Sequence, residues 1–306
     1  MKEFFERLNA IGKPKRPDII EKDFHLHRLL DAVSNDQYLR GNLVFKDGTC
    51  LIKAHMSYYR FSEDVDFTWR DASIWEGRSL SETKRRCSKE LGEVIKRFKF
   101  ISDELGFRFK GDKSVADEVH ISSGGRMLLL WLGYDSEIQG VPSKIKVEIN
   151  FVDKLLYPVE ERELHSYVES FDSKELAFLY EKPWKEYSAK VIFPCYDSRE
   201  IFVEKCRAAL TRKAYKLRDG VDIVYIGEKY GYTVLDFKPQ VIKKVRFMLD
   251  TYARYRENLE LPKGALPEME SSDEMRLLLG EPAKDLAGNV KRAHAQLERI
   301  REEILS

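Results

Sequence analysis

Cysteine is scarce in this chain, with four among 306 residues. Cys50, Cys87, Cys195 and Cys206 lack C-x-x-C spacing and fall inside helix or strand patterns, so they read as reduced, mostly buried thiols of a cytoplasmic protein. No run approaches the ~20 apolar residues of a membrane span, and the opening MKEFFERLNA lacks the apolar core of a signal peptide. Neither sign of charge dominates: the net charge is +1, so the whole-chain balance carries no nucleic-acid signal and only local clusters could. Internal repeats and low-complexity tracts are absent. No Ser-His or Cys-His constellation points to a covalent nucleophile.

What remains is an ordinary composition somewhat rich in charge, 43% hydrophobic and 34% charged, long enough for one large or two modest domains. The chain is organised around Leu43 to Trp69. Leu43-Val44-Phe45 reads as a buried strand, Asp47-Gly48-Thr49 as a turn, and Cys50 to Tyr58 as a helix-compatible segment. In Asp64-Val65-Asp66-Phe67 polar and apolar residues alternate with the period of a strand. Alternation puts Asp64 and Asp66 on one face, and two neighbouring carboxylates repel unless a cation sits between them. Hard oxygen ligands of this kind suit magnesium held together with substrate phosphates. Gly48 and Thr49, leading into a helix N-terminus, supply the free N–H groups and the hydroxyl that hold a phosphate.

Upstream, the spacing of Ile19, Ile20, Phe24, His27, Leu30 and Val33 predicts a helix from Pro17 to about Asn35. His25 and His27 stand two apart and face different ways on it, so core or surface histidines are expected rather than metal ligands. An amphipathic helix is predicted from about Ser81 to Leu105, then a strand beginning at Phe107-Arg108-Phe109 and another at Met127–Leu132, with Gly124-Gly125 turning between extended segments. In KIKVEINF, Ile145, Val147, Ile149 and Phe151 share the core face, while Lys144, Lys146, Glu148 and Asn150 share the other. A domain boundary is placed near Pro194, giving domains 1–195 and 196–306. The helix after it starts at Asp197, which with Glu200 forms a D-x-x-E cap. Glu204 to Arg218 is densely basic. Residues from about 235 look helical to the end, the last helix running from about Pro282 to Leu305. Tyr252 and Tyr255 interleave there with Lys243, Lys244, Arg246, Arg254 and Arg256, a pattern that fits either an RNA-holding face or a packed helix with a solvated side.

The stretch FKDGTCLIKAHMSYYRFSEDVDF resembles the AbiEii/MenT-type nucleotidyltransferase toxins of the DNA polymerase-β-like superfamily, whose pattern reads FKGGTxL…RxSxDxD. Arg60, Ser62, Asp64 and Asp66 fall where that pattern wants them; Asp47 departs, standing where the family usually has glycine. IIEKDFHLHRLL resembles the family's leader helix, and KVEI and FVEKCRAALTRKAYKLRDGVD resemble two further family regions. Gly220 stands where larger residues are usual. The resemblance implies an α+β fold, a mixed sheet with helices on one face and carboxylates on the other, followed by a helical domain contributing Lys205 and Asp222. It implies that Asp64, Asp66 and Glu148 bind two magnesium ions, with manganese an alternative. Gly48, Thr49, Lys53, Arg60, Ser62, Lys205 and Arg212 then serve the nucleoside triphosphate, with Asp219 or Asp222 as a further acid. The implied activity is transfer of a nucleoside monophosphate to a hydroxyl, the acceptor being a tRNA 3′ end and the partner a separate antitoxin protein. Transfer onto a protein, and a non-catalytic nucleotide- or RNA-binding module, are the competing expectations.

Overall fold

Among the described residues α1 (Lys2–Ile11), α2 (Pro17–Asn35) and α3 (Gln37–Asn42) precede the first strand. The computed structural model describes residues 1–12, 16–261, 266, 275, 277–279 and 283–306. It divides into a first unit, Met1–Asp153 with Val159–Tyr196, and a second, Lys154–Pro158 with Asp197–Ser306. α2 starts on Pro17, where the missing N–H costs nothing, and it buries Ile19, Ile20, Phe24, Leu26, Leu30 and Val33. β1 (Leu43–Lys46) follows, then a tight helical turn α4 (Asp47–Cys50) that widens into a π-type turn over Leu51–His55. The helix expected to reach Tyr58 therefore ends at His55, where the Met56 N–H closes back on the Leu51 carbonyl.

β2 (Asp64–Trp69) leads to α5 (Leu80–Leu105), capped by the Ser79 hydroxyl at one end and by Gly106 in the left-handed conformation at the other. β3 (Val119–Ser122), β4 (Met127–Asp135), β5 (Pro142–Asn150), β6 (Glu160–Leu164), the short helices α6 (Lys174–Leu179) and α7 (Glu181–Tyr187), and β7 (Val191–Cys195) complete the first unit. Among the described residues seven strands form one mixed sheet, ordered β3-β4-β5-β2-β1-β7-β6. β2 runs parallel to β5 and β1 parallel to β7, the other pairs being antiparallel. The strand expected at Phe107–Phe109 reduces to one bridge between Arg108 and Gly133, because β3 already pairs that edge of β4 as far as Leu130. Val65, Phe67, Leu128, Leu130, Leu132, Ile145, Val147 and Ile149 make the core face, and α2 packs against β5, β7 and α5.

His27 belongs to this core. It is fully buried, and its Nε2 donates to the Ala189 carbonyl at 2.8 Å, which leaves Nδ1 enclosed without a hydrogen-bond partner. Burial, seconded by the Lys53 charge, pushes the imidazole down to about 4. The unfolded chain takes up that proton near 6.5 and the folded chain does not. Stability is therefore full above pH 6.5 and falls as the pH drops toward 4, by up to about 1.4 kcal/mol per pH unit. Melting curves at pH 7.5 and 5 are expected to show this loss, and the dependence shrinks in His27→Leu to the part left by His25, whose largely buried imidazole is pushed down to about 3.

The second unit holds α8 (Ser198–Thr211), α9 (Leu217–Tyr230), α10 (Lys238–Thr251), α11 (Ala253–Glu260) and α12 (Leu286–Leu305). Pro282, the expected start of the last helix, lies outside the described residues. Asp197 caps α8 by accepting the Arg199 N–H at 2.7 Å, but Glu200 does not complete a capping box. Its carboxylate accepts the Leu156 and Tyr157 N–H groups at 2.7 and 2.9 Å and pairs with Lys244 at 2.7 Å. Lys244, fully buried, also meets Glu204 at 2.9 Å. It is thus a core cation and leaves the basic face proposed for RNA. Arg254 instead lies over the Tyr255 ring, 4.9 Å from its centroid.

Candidate active site

The G-T…R-x-S-x-D residues hold one another. Thr49 donates its hydroxyl to the Asp64 carbonyl and stands 2.8 Å from the Ser62 hydroxyl. Arg60, almost fully buried, donates to the Phe61 carbonyl at 2.8 Å. A side chain on Gly48 would place its Cβ 2.7 Å from Arg60 Nη2 and 3.2 Å from Ser62 Oγ. A larger residue here would have to displace Arg60 and Ser62 from their places behind the turn. Asp47 adopts φ +59°, the left-handed region, which explains why glycine suits this position; aspartate is among the few residues that tolerate it.

Pairing of β2 with β5 sets Asp64 opposite Lys146 and Asp66 opposite Glu148. Directly opposed residues on neighbouring strands share a face, so three carboxylates and one ammonium stand together. Lys146 Nζ lies 3.3 Å from Glu148 Oε2 and 3.8 Å from Asp64 Oδ2. Burial alone would lower the Lys146 pKa, but Glu148, Asp64 and Asp66 outweigh it and hold the group above the ordinary lysine range. Asp66 has the opposite problem. Burial first, then the charges of Asp47, Glu148 and Asp64, push its carboxyl well above the usual carboxylate range, although the residue keeps part of its surface open. Lys46, opposite Asp66 on β1, lies 3.5 Å from Asp153, which also accepts the Tyr196 hydroxyl at 2.6 Å.

Among the described residues no three His, Cys, Asp or Glu side chains are already drawn together around a metal position. The Lys146 ammonium stands between two of the carboxylates instead. The donor set still fits a hard divalent cation: all its atoms are carboxylate oxygens, and Asp66 carries an excess of neighbouring negative charge that a cation relieves.

Lys53 does not stand with this group. It is 0% exposed, its Nζ 2.9 Å from Asp23 Oδ1 and 2.6 Å from the Tyr58 hydroxyl. Tyr58 and Tyr187 both donate to Asp23 Oδ2, at 2.9 and 2.6 Å. Lys53 thus forms a buried ion pair with Asp23, assembled from residues too far apart in sequence for any spacing rule to find.

In the second unit Lys205 Nζ sits 3.1 Å from Asp222 and 3.5 Å from Asp219. Arg212 closes on the other Asp219 oxygen. Both aspartates are fully buried. Lys205 thus meets both candidate acids, with Asp222 the nearer. A Cβ at Gly220 would fall 2.1 Å from the Tyr215 hydroxyl and 2.9 Å from Val290, so tight packing explains the glycine between them.

Among solved structures the chain is similar to JHP933 from Helicobacter pylori, at 13% identity over 94% of this chain and 93% of that one, with a TM-score of 0.43. It is also similar to a candidate nucleotidyltransferase from H. pylori, at 15% identity over 93% and 94%, with a TM-score of 0.41. No curated protein matches. The model of the family described as nucleotidyl transferase AbiEii toxin, type IV toxin–antitoxin system, matches residues 28–298. The chain belongs to the AbiEii nucleotidyltransferase toxin family.

Proposed function

We propose that the chain moves a nucleoside monophosphate from a nucleoside triphosphate to a hydroxyl at the Asp64–Asp66–Glu148 face, using magnesium or, in its place, manganese. The observation that carries this reading is the β2–β5 register, which sets three carboxylates side by side next to the Gly48-Thr49 turn. Asp64, Asp66 and Glu148 are the residues that would hold the ions. When bound, divalent cations lower the pKa of the attacking hydroxyl and offset charge on the departing pyrophosphate. The Gly48-Thr49 turn receives phosphate oxygens, while Arg60 and Ser62 keep the turn in shape. Lys146, beside Asp64 and Glu148, would meet a phosphate oxygen if a cation took over those carboxylates. We place the reaction in the cytoplasm, with a tRNA 3′ end as acceptor and a separate antitoxin protein as partner, as the family membership suggests.

The test is incubation with magnesium, total tRNA and each α-labelled nucleoside triphosphate in turn. Label is expected on RNA with one nucleotide. Label on a polypeptide instead would keep the transfer and overturn the acceptor. No label anywhere, with the nucleotide still raising the melting temperature, would make the chain a binding module and point to Asp47, whose charge bears on Asp66.

A further inference from the structure

The carboxylates occupy the middle of the sheet, and the phosphate turn lies to one side of them. β1 and α4, carrying Gly48 and Thr49, flank β2 on one side, and β5 and then β4 lie on the other. In-line displacement at phosphorus keeps the attacking and leaving oxygens on opposite sides. On the proposed reading, on which this inference rests, pyrophosphate leaves toward β1, so the acceptor arrives over β4.

The register shows what meets it there. Trp131 of β4 is opposite Lys146, itself opposite Asp64, and Leu129 is opposite Glu148, itself opposite Asp66. Strands lie ~4.8 Å apart, so Trp131 stands roughly 10 Å from Asp64 along one row of the carboxylate face. A tryptophan and a leucine on that face keep part of their surfaces open, where the opposite face of β4 is closed by Leu128, Leu130 and Leu132. Beside Trp131 opens a cavity of about 780 Å³, floored by Gly133 and walled by Phe109, Arg108, Lys110 and Lys144. That is ample for a nucleobase with its ribose. Four acids also line it: Asp103 and Asp135 pair with Lys99 and Arg108, Glu118 accepts the Lys110 N–H at 2.6 Å, and Asp117 offers its carbonyl to Lys144. The Lys144 ammonium meets only the Asp117 carbonyl, at 3.2 Å, and no carboxylate among the described residues lies within ion-pairing distance, so its charge is available to an anion.

We infer that this β4 pocket is the acceptor subsite, taking an unpaired nucleobase at the end of a single-stranded polynucleotide, with Trp131 as the stacking platform and Lys144 on the adjoining phosphate. A partly open tryptophan gives a base a face to stack on, and the Lys144 ammonium beside it meets the adjoining phosphate.

The experiment is fluorescence anisotropy of a fluorescein-labelled, random-sequence, twelve-nucleotide oligoribonucleotide, without nucleoside triphosphate. Trp131→Ala is expected to weaken binding about tenfold or more, and Trp131→Phe only a few-fold. Lys144→Ala, on an exposed side chain, weakens it modestly and reduces the slope of log affinity against log salt by about 0.7. The rise in melting temperature given by the nucleoside triphosphate stays as in the parent in all three. Parent-like RNA binding in Trp131→Ala overturns the proposal. If that variant does not fold, an unchanged salt slope in Lys144→Ala overturns it. So does a parent that binds no oligoribonucleotide while labelling a polypeptide. Because the assay contains no turnover, loss of transfer activity with intact, Trp131-dependent RNA binding would instead count against the proposed reaction and leave the subsite standing.

Discussion

Asp66→Asn is expected to lose nucleotide transfer by more than about a hundredfold while the protein melts at a higher temperature than the parent in the absence of divalent cations. The two effects have one cause. Asp66 sits under burial and the charges of Asp47, Glu148 and Asp64, which raise its carboxyl well above the usual range. An acid whose folded value exceeds its unfolded one is a liability once the pH passes the unfolded value, so at neutral pH its ionised form costs stability. Asparagine keeps the shape and removes the charge. The same charge is what a cation needs, and losing a direct ligand costs at least what losing a supporting residue does, about 10- to 100-fold. Thermal melts in a chelator, paired with label transfer in magnesium, separate the two. A variant that loses activity and also melts lower would mark Asp66 as a plain structural residue.

The second large effect concerns Lys53. Lys53→Met leaves Asp23 enclosed with only the Tyr58 and Tyr187 hydroxyls, at 2.9 and 2.6 Å, and no neutralising cation at 2.9 Å. Removing one partner of a buried pair costs about 3–5 kcal/mol, which lowers the melting temperature by on the order of ten degrees. The double variant Lys53→Met with Asp23→Asn is expected to recover most of that loss, since the uncompensated charge has gone. Nucleoside triphosphate affinity, measured on folded protein at low temperature, should stay near the parent's. A large loss of affinity with little loss of stability would restore Lys53 to the phosphate site.

These cases show what was legible in the chain and what was not. The alternation in DVDF and KVEI identified the carboxylate face because strand period alone decides which side chains share a side, and the resemblance to the family's G-T…R-x-S-x-D pattern pointed to residues that hold one another, Thr49 with Ser62 and Asp64. Periodicity likewise found α2 and α5, whose core residues recur every three or four positions. Ion pairs between distant segments left no such trace. Lys53 with Asp23, and Lys244 with Glu200 and Glu204, look in sequence like surface charges on amphipathic helices. Only the tertiary fold reveals that their charged ends turn inward. Glu200 misled for the same reason, since a D-x-x-E start satisfies the capping rule while the glutamate serves the 154–158 segment. Trp131 escaped notice because one tryptophan in an apolar run reads as core, and only the register places it in a row with Asp64.

The central claim is that the β2–β5 carboxylates are a divalent-cation site, and a magnesium titration followed by melting temperature tests it most directly. The account predicts that magnesium raises the melting temperature of the parent, with saturation, and leaves Asp66→Asn unmoved. An equal rise in both, or none in the parent even with nucleoside triphosphate present, would contradict it.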